Sequence, residues 1–172
     1  MSDTSLDLLA MRGKTGLARA LSPGERRGAP PDPASEDEEE CPAFGYLRGL
    51  RDRALSIEFR LASGNSEAFP YSWLGPVKYN PSHGLLLKFT GDLVYLVLIE
   101  GSNLNALAKG AVNLYDHGIQ RHRITWVREM TRQQVERAAE GEVTIERIRT
   151  LSYRPDDEPK EVAWLEPFRH QS

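Results

Sequence analysis

The sequence predicts a mainly β domain with flanking helices, an α+β fold built on a small, strongly bent five-stranded barrel. Three observations carry that expectation. Ile57-Glu58-Phe59-Arg60-Leu61 alternates apolar and charged residues, the pattern of a half-buried strand. Leu93-Val94-Tyr95-Leu96-Val97-Leu98-Ile99 is apolar throughout, the pattern of a strand covered on both faces. Glycines fall between or just after these runs, so four strands follow one another quickly between Ile57 and Leu107.

The chain divides near residue 41. Residues 1–40 hold 5 Lys/Arg and 9 Asp/Glu. Ser22-Pro23-Gly24 and Ala29-Pro30-Pro31-Asp32-Pro33 do not sustain regular structure. Glu36-Asp37-Glu38-Glu39-Glu40 is a block of like charge, read as solvated linker. Residues 1–40 are therefore expected to be a disordered acidic, Pro-rich arm. Within it, Leu6, Leu9 and Met11 could line a short helix that needs a partner's groove; chance leucines in an unstructured terminus are the alternative. Residues 41–155 are the expected barrel domain and 156–172 a C-terminal tail.

From residue 44 the elements follow in order. Phe44, Leu47, Leu50 and Ala54 predict an amphipathic helix over residues 44–55, weakened by Gly45 and Gly49. Strand one is Ser56–Ala62, closed by the turn Ser63-Gly64-Asn65-Ser66. Strand two runs from Glu67 to Tyr79, broken at Pro70 and Gly75-Pro76, which implies an edge position or a bulge. After the turn Asn80-Pro81-Ser82-His83-Gly84 come strand three, Leu85–Phe89, and strand four, Leu93–Ile99. Val94, Leu96, Leu98 and Trp73 are the expected core. Asn103 is positioned to cap a helix from Leu104 to Leu114. His122–Arg128 alternates and is read as strand five. Thr131-Arg132-Gln133-Gln134 fits a capping box and predicts a short helix to Glu140. Val143–Leu151, after Gly141, is read as a bulged strand. Trp164 and Phe168 either dock back on the domain or hang free.

Composition excludes several classes. The chain has 172 residues, 40% of them hydrophobic, and net charge −3. No apolar run approaches the ~20 residues that cross a bilayer. The N-terminus lacks a secretory pattern. Cys41 is the sole cysteine, so no internal disulfide forms, and one Cys with four His is too little for a structural zinc site. A reducing, cytoplasmic setting is expected, with no metal and no cofactor.

The basic segment is the strongest functional lead. Arg121, Arg123, Arg128 and Arg132 cluster with His122 and Trp126, followed by Arg137, Arg147 and Arg149. Arginines interleaved with an aromatic suit single-stranded nucleic acid, supplying phosphate neutralisation and a stacking surface. Arg121, His122, Arg123, Trp126 and Arg128 are thus the candidate nucleic-acid-binding residues. Glu129, Glu136, Glu140, Glu142 and Glu146 interleave with them, so a salt-bridged, solvated face is the competing reading. Asp116-His117 has the pairing of a general base, yet no nucleophile motif accompanies it and the segment reads as a loop. Gly13-Lys14-Thr15 is no phosphate loop, because Leu8 stands where that motif needs glycine.

Leu61-Ala62-Ser63-Gly64, where a glycine turns the chain into strand two, and Ile99-Glu100-Gly101-Ser102-Asn103 have the order and spacing of two family signatures. With the helix-then-strands punctuation, the stretch 57–107 resembles the Sm-like fold of Sm and LSm proteins and bacterial RNA chaperones. The resemblance implies a bent barrel, ring formation through edge strands, and an RNA site. Asn80 stands where the family's base-holding loop lies. Glu100 stands where the family has an arginine, and a carboxylate there repels phosphate. The resulting reading is a non-catalytic protein-interaction or assembly module on an Sm-like barrel, with a protein partner or self-association. The second reading is an RNA-binding Sm-like protein. The third is a small hydrolase using Asp116 with His117 or His122.

Overall fold

The computed structural model describes residues 38–108, 112–159 and 162–169. The candidate motif Leu6, Leu9 and Met11, and the arm up to residue 37, lie outside them. The described residues form nine strands: β1 (Glu38–Glu40), β2 (Phe44–Leu47), β3 (Ser56–Arg60), β4 (Ser66–Pro70), β5 (Leu74–Asn80), β6 (Gly84–Thr90), β7 (Val94–Ser102), β8 (Ile124–Arg128) and β9 (Thr144–Tyr153). Two short helices, α1 (Arg132–Arg137) and α2 (Glu166–Arg169), accompany them, with a π-helical turn at Leu114–Ile119.

The fold is mainly β, but it is not a single five-stranded barrel. The strands form two sheets, ordered β1-β2-β8-β3-β4 and β5-β6-β7-β9. The first sheet contains a parallel pair, β3 with β8, whose connection is the whole β4–β7 meander and the π turn. Pro70 explains the division. It ends β4, the chain turns through a 3-10 segment at Tyr71–Trp73, and β5 begins in the other sheet. Both strands flanking the break lie at sheet edges, and the β5–β6 register shifts across Gly75-Pro76, as proline's missing donor requires.

The two sheets share one core. Ile57 and Phe59 of β3 and Phe69 of β4 meet Leu85, Leu87 and Phe89 of β6 and Val97 and Ile99 of β7. Phe89 stacks on Phe69 at 4.8 Å and meets Phe59 edge-on at 6.1 Å. The other face of the second sheet is apolar too. Leu86, Val94, Leu96 and Leu98 pack under Leu165 and Phe168 from the C-terminal segment. This double covering is why β7 reads as an unbroken apolar run. Phe168 therefore docks. Trp73, expected in the core, is 37% exposed.

Gly84 starts β6 with φ +116, and a Cβ there would sit 2.1 Å from the Ile99 carbonyl oxygen. The β6–β7 strands thus approach too closely for a side chain at that point. The bulge expected in the last strand falls between Glu100 and Gly101 on the β7 side of the register, leaving Glu146 unpaired. The capping box at Thr131 and Gln134 is complete.

Two expected helices do not form. Phe44–Leu47 is a strand instead, paired with β8, and residues 48–55 are a loop. Phe44 and Tyr46 are fully buried, a benefit from tertiary pairing that outweighs a helix carrying two glycines. At residue 104 the helix is pre-empted. Asn103 has φ +55 and donates its side-chain amide to the Glu142 carbonyl at 3.0 Å, and Ala108 bridges to Val112.

Candidate interaction surface

The exposed loop 48–55 is held by residues that the sequence places in the nucleic-acid candidate set. β2 ends at Leu47 beside Arg123, which directly precedes β8. Arg123 is 4% exposed. Its guanidinium donates to the Leu47 carbonyl through Nε at 3.1 Å and Nη2 at 2.6 Å, and to the Arg48 carbonyl at 2.8 Å. A buried cation is costly unless its donors are satisfied, and here backbone carbonyls satisfy them. Arg123 is thus a staple at the start of the loop, unavailable to a phosphate. It does not share an exposed strand face with Arg121.

His122 anchors the other end. It has φ +54, and its carbonyl accepts the Ala54 N–H at 2.7 Å. Its ring stacks on Tyr71 at 4.4 Å and 17°. Tyr71 donates its hydroxyl to the Ile124 carbonyl at 2.8 Å and its N–H to Leu55 at 2.9 Å. Burial pushes the Tyr71 hydroxyl pKa well up. Burial, and then the charge of Arg53, push the His122 imidazole below its ordinary value.

Between these anchors the loop presents Leu50, 77% exposed, and Leu55, 89% exposed. Arg48, Arg51 and Arg53 are exposed beside them, as is Arg121 on the adjoining turn. Arg53 donates to the carbonyls of Leu50 and Asp52 at 3.1 and 2.8 Å, which curls the loop tip. Asp52 is the one acid in the loop. The surface therefore combines three arginines and two bare leucines on a short, stapled segment, with Arg121 beside it.

The other candidates are not brought to this surface as a stacking platform. Trp126 is 5% exposed, and the guanidiniums of Arg60 and Arg128 lie over its ring at 4.5 and 5.1 Å. The parallel β3–β8 register aligns Arg60 with Arg128 and Glu58 with Trp126. Glu58 pairs with Arg60 at 2.8 Å, and that hydrogen bond holds its carboxyl pKa down. Arg128 also donates to the Pro42 carbonyl at 3.0 Å. This is a closed cation–π ladder on the outer face of the sheet. Asn80 accepts the Ser82 N–H at 3.0 Å within the β5–β6 turn. Glu100 pairs with Arg149 at 2.7 Å, and Arg132 with Glu136 at 2.7 Å.

Asp116 and His117 lie in the π turn. The Asn113 side chain accepts the His117 N–H at 2.7 Å and reaches Asp116 at 3.4 Å, so this cluster shapes the turn. Among the described residues no group of three or more His, Cys, Asp or Glu could hold a metal ion. No helix among them is long and apolar enough to cross a membrane.

Sequence reasoning missed Leu50 and Leu55 as exposed residues because it assigned residues 44–55 to an amphipathic helix with Leu50 on its apolar face. Gly45 and Gly49 carried the contrary signal. No protein-family model, no curated protein and no solved structure matches the chain.

Proposed function

We propose that the protein is a non-catalytic interaction module whose stapled loop 48–55 docks an acidic, apolar segment of a protein partner. The observation that supports this reading is the exposure of Leu50 and Leu55 among Arg48, Arg51, Arg53 and Arg121. Arginine is enriched at interfaces and among their hot spots, and the two leucines add exposed apolar area beside it. A second copy meeting this face through a two-fold axis would set arginine against arginine, so charge favours a different, acidic partner. RNA is the weaker fit, because single strands need open aromatic faces. The guanidiniums of Arg60 and Arg128 already lie over Trp126, and His122 and Tyr71 stack on each other. The Sm-like resemblance rests on a helix followed by five short strands and on two motifs, and the expected helix over residues 44–55 does not form. The positions that hold a nucleotide in that family fall here on a turn, at Asn80, and on an ion pair, at Glu100.

The test is binding of a labelled short peptide carrying Glu and Leu, alongside a uridine-rich single-stranded RNA. The peptide should bind the unmodified protein. Leu50→Ser with Leu55→Ser, and separately Arg51→Glu with Arg53→Glu, should each weaken it by about tenfold or more, equivalent to ~1.4 kcal/mol. Submicromolar RNA binding at physiological salt, lost in the Arg51/Arg53 variant, would overturn this reading in favour of an RNA-binding protein.

A further inference from the structure

The two sheets have four edges, and two are protected. β1 is a short edge strand of three glutamates, and β5 carries Pro76 at its bulge. Charge and proline are what keep edges from pairing. The other two edges, β4 and β9, face each other. Thr150 Oγ1 donates to Glu67 Oε1 at 3.2 Å across the gap. One turn of the pleat further on, the Phe69 ring lies 5.1 Å from Tyr95, which is opposite Ser152 in the β7–β9 ladder. The order 67 to 69 thus matches 150 to 152, and the two edges run in the same direction.

Between them lies a cavity of about 560 Å³, within the ~300–1,000 Å³ range of ligand clefts. Trp73 and Tyr95 line it with rings stacked at 13°. The backbone phase decides what each edge offers. Leu61 takes the Asn65 carbonyl and Tyr71 takes the Leu55 carbonyl, so alternate β4 residues, Ser66, Ala68 and Pro70, turn their peptide groups outward. On β9 the Ile148 N–H goes to Glu129, so Thr150 and Ser152 turn outward likewise. No described residue pairs with the outward groups of Ala68, Thr150 or Ser152. Glu67 is the one charged group lining the cavity, and it has no ion pair among the described residues.

We infer that the β4–β9 gap is a slot for an extended peptide strand of a partner protein, inserted antiparallel to both edges at once. Because β4 and β9 run in the same direction, one segment satisfies both. Its backbone pairs with Ala68 on one side and Thr150 and Ser152 on the other. An apolar side chain faces Trp73 and Tyr95, and a basic side chain meets Glu67. This site is separate from the arginine loop and does not depend on it.

The probe is a labelled seven-residue peptide, Thr-Thr-Val-Thr-Lys-Thr-Thr, which puts Val and Lys two residues apart on one strand face, with two controls: the same peptide N-methylated at alternate amides, and the peptide with Glu in place of Lys. The Val/Lys peptide should bind, and both controls should bind at least tenfold more weakly. On binding, hydrogen exchange should slow at the Ala68, Thr150 and Ser152 amides. Ala68→Pro removes an outward N–H while leaving the β3–β4 ladder intact, and should abolish binding without loss of the folded state. If that variant does not fold, Ser152→Pro serves the same purpose, and the N-methylated peptide tests the pairing on the unmodified protein. Arg51→Glu with Arg53→Glu should leave this binding unchanged. Absence of binding, equal binding of the N-methylated peptide, or protection appearing at loop 48–55 instead would overturn the inference.

Discussion

Glu129 accepts the backbone N–H of Ile148 at 2.6 Å through one carboxylate oxygen, while its other oxygen accepts the N–H of Ala62. Ile148 belongs to β9 in one sheet, and Ala62 follows β3 in the other. A single side chain thus satisfies an amide of the edge strand β9 in one sheet and an amide just past the inner strand β3 of the other, and ties the sheets together.

Removing that carboxylate leaves a part-buried amide unpaired. Hydrogen bonds to charged groups contribute ~1.5–3 kcal/mol each, so Glu129→Ala should destabilise the protein by about 2–4 kcal/mol. Glu129→Gln keeps one good acceptor and should fall between. Urea unfolding measures both; a cost below about 0.5 kcal/mol for Glu129→Ala would mean that the tie is dispensable.

Phe89 joins the sheets through apolar contact, against Phe69 and Phe59. Phe89→Ala should cost about 3–5 kcal/mol from lost transfer and cavity terms. A calorimetric scan of the unmodified protein should show one transition, since both sheets share that core.

Arg123 is read here as a staple, so its loss should act on stability. Arg123→Ala should cost about 2–3 kcal/mol. Arg123→Lys keeps the charge but not the planar fork, and should recover only part of that. Faster hydrogen exchange of the Ala54 amide, in the loop that Arg123 holds, checks the assignment independently.

His122 sets a pH dependence. Its pKa is lowered in the folded state, first by burial and then by Arg53. The unfolded chain therefore takes a proton more readily than the folded one. Stability from this group is fully present above the unfolded value of about 6.5 and is lost as pH falls from there through the folded value. Unfolding midpoints measured on either side of that window should show lower stability on the acid side. His122→Asn, which tolerates the positive φ, should remove this component. An unchanged pH profile in that variant would show that another group is responsible.

Local physics was legible where one residue's neighbours in sequence settle the outcome. The alternation of Ile57 and Phe59, the apolar run of β7, the breaks at Pro70 and Gly75-Pro76, and the capping box at Thr131 all appear where expected. So does the mainly β character that follows from them.

Only the tertiary structure decided the rest. Phe44–Leu47 pairs with β8, about eighty positions away, and that pairing overrode a weak helix pattern. The parallel β3–β8 register placed Arg60 and Arg128 on Trp126 and so closed the expected stacking platform. Arg123 became a buried staple and Leu50 a bare surface residue for the same reason. Periodicity reports which side of a segment is apolar, but burial depends on which distant segment covers it. That choice is set by the summed packing of both sheets, which no local window contains.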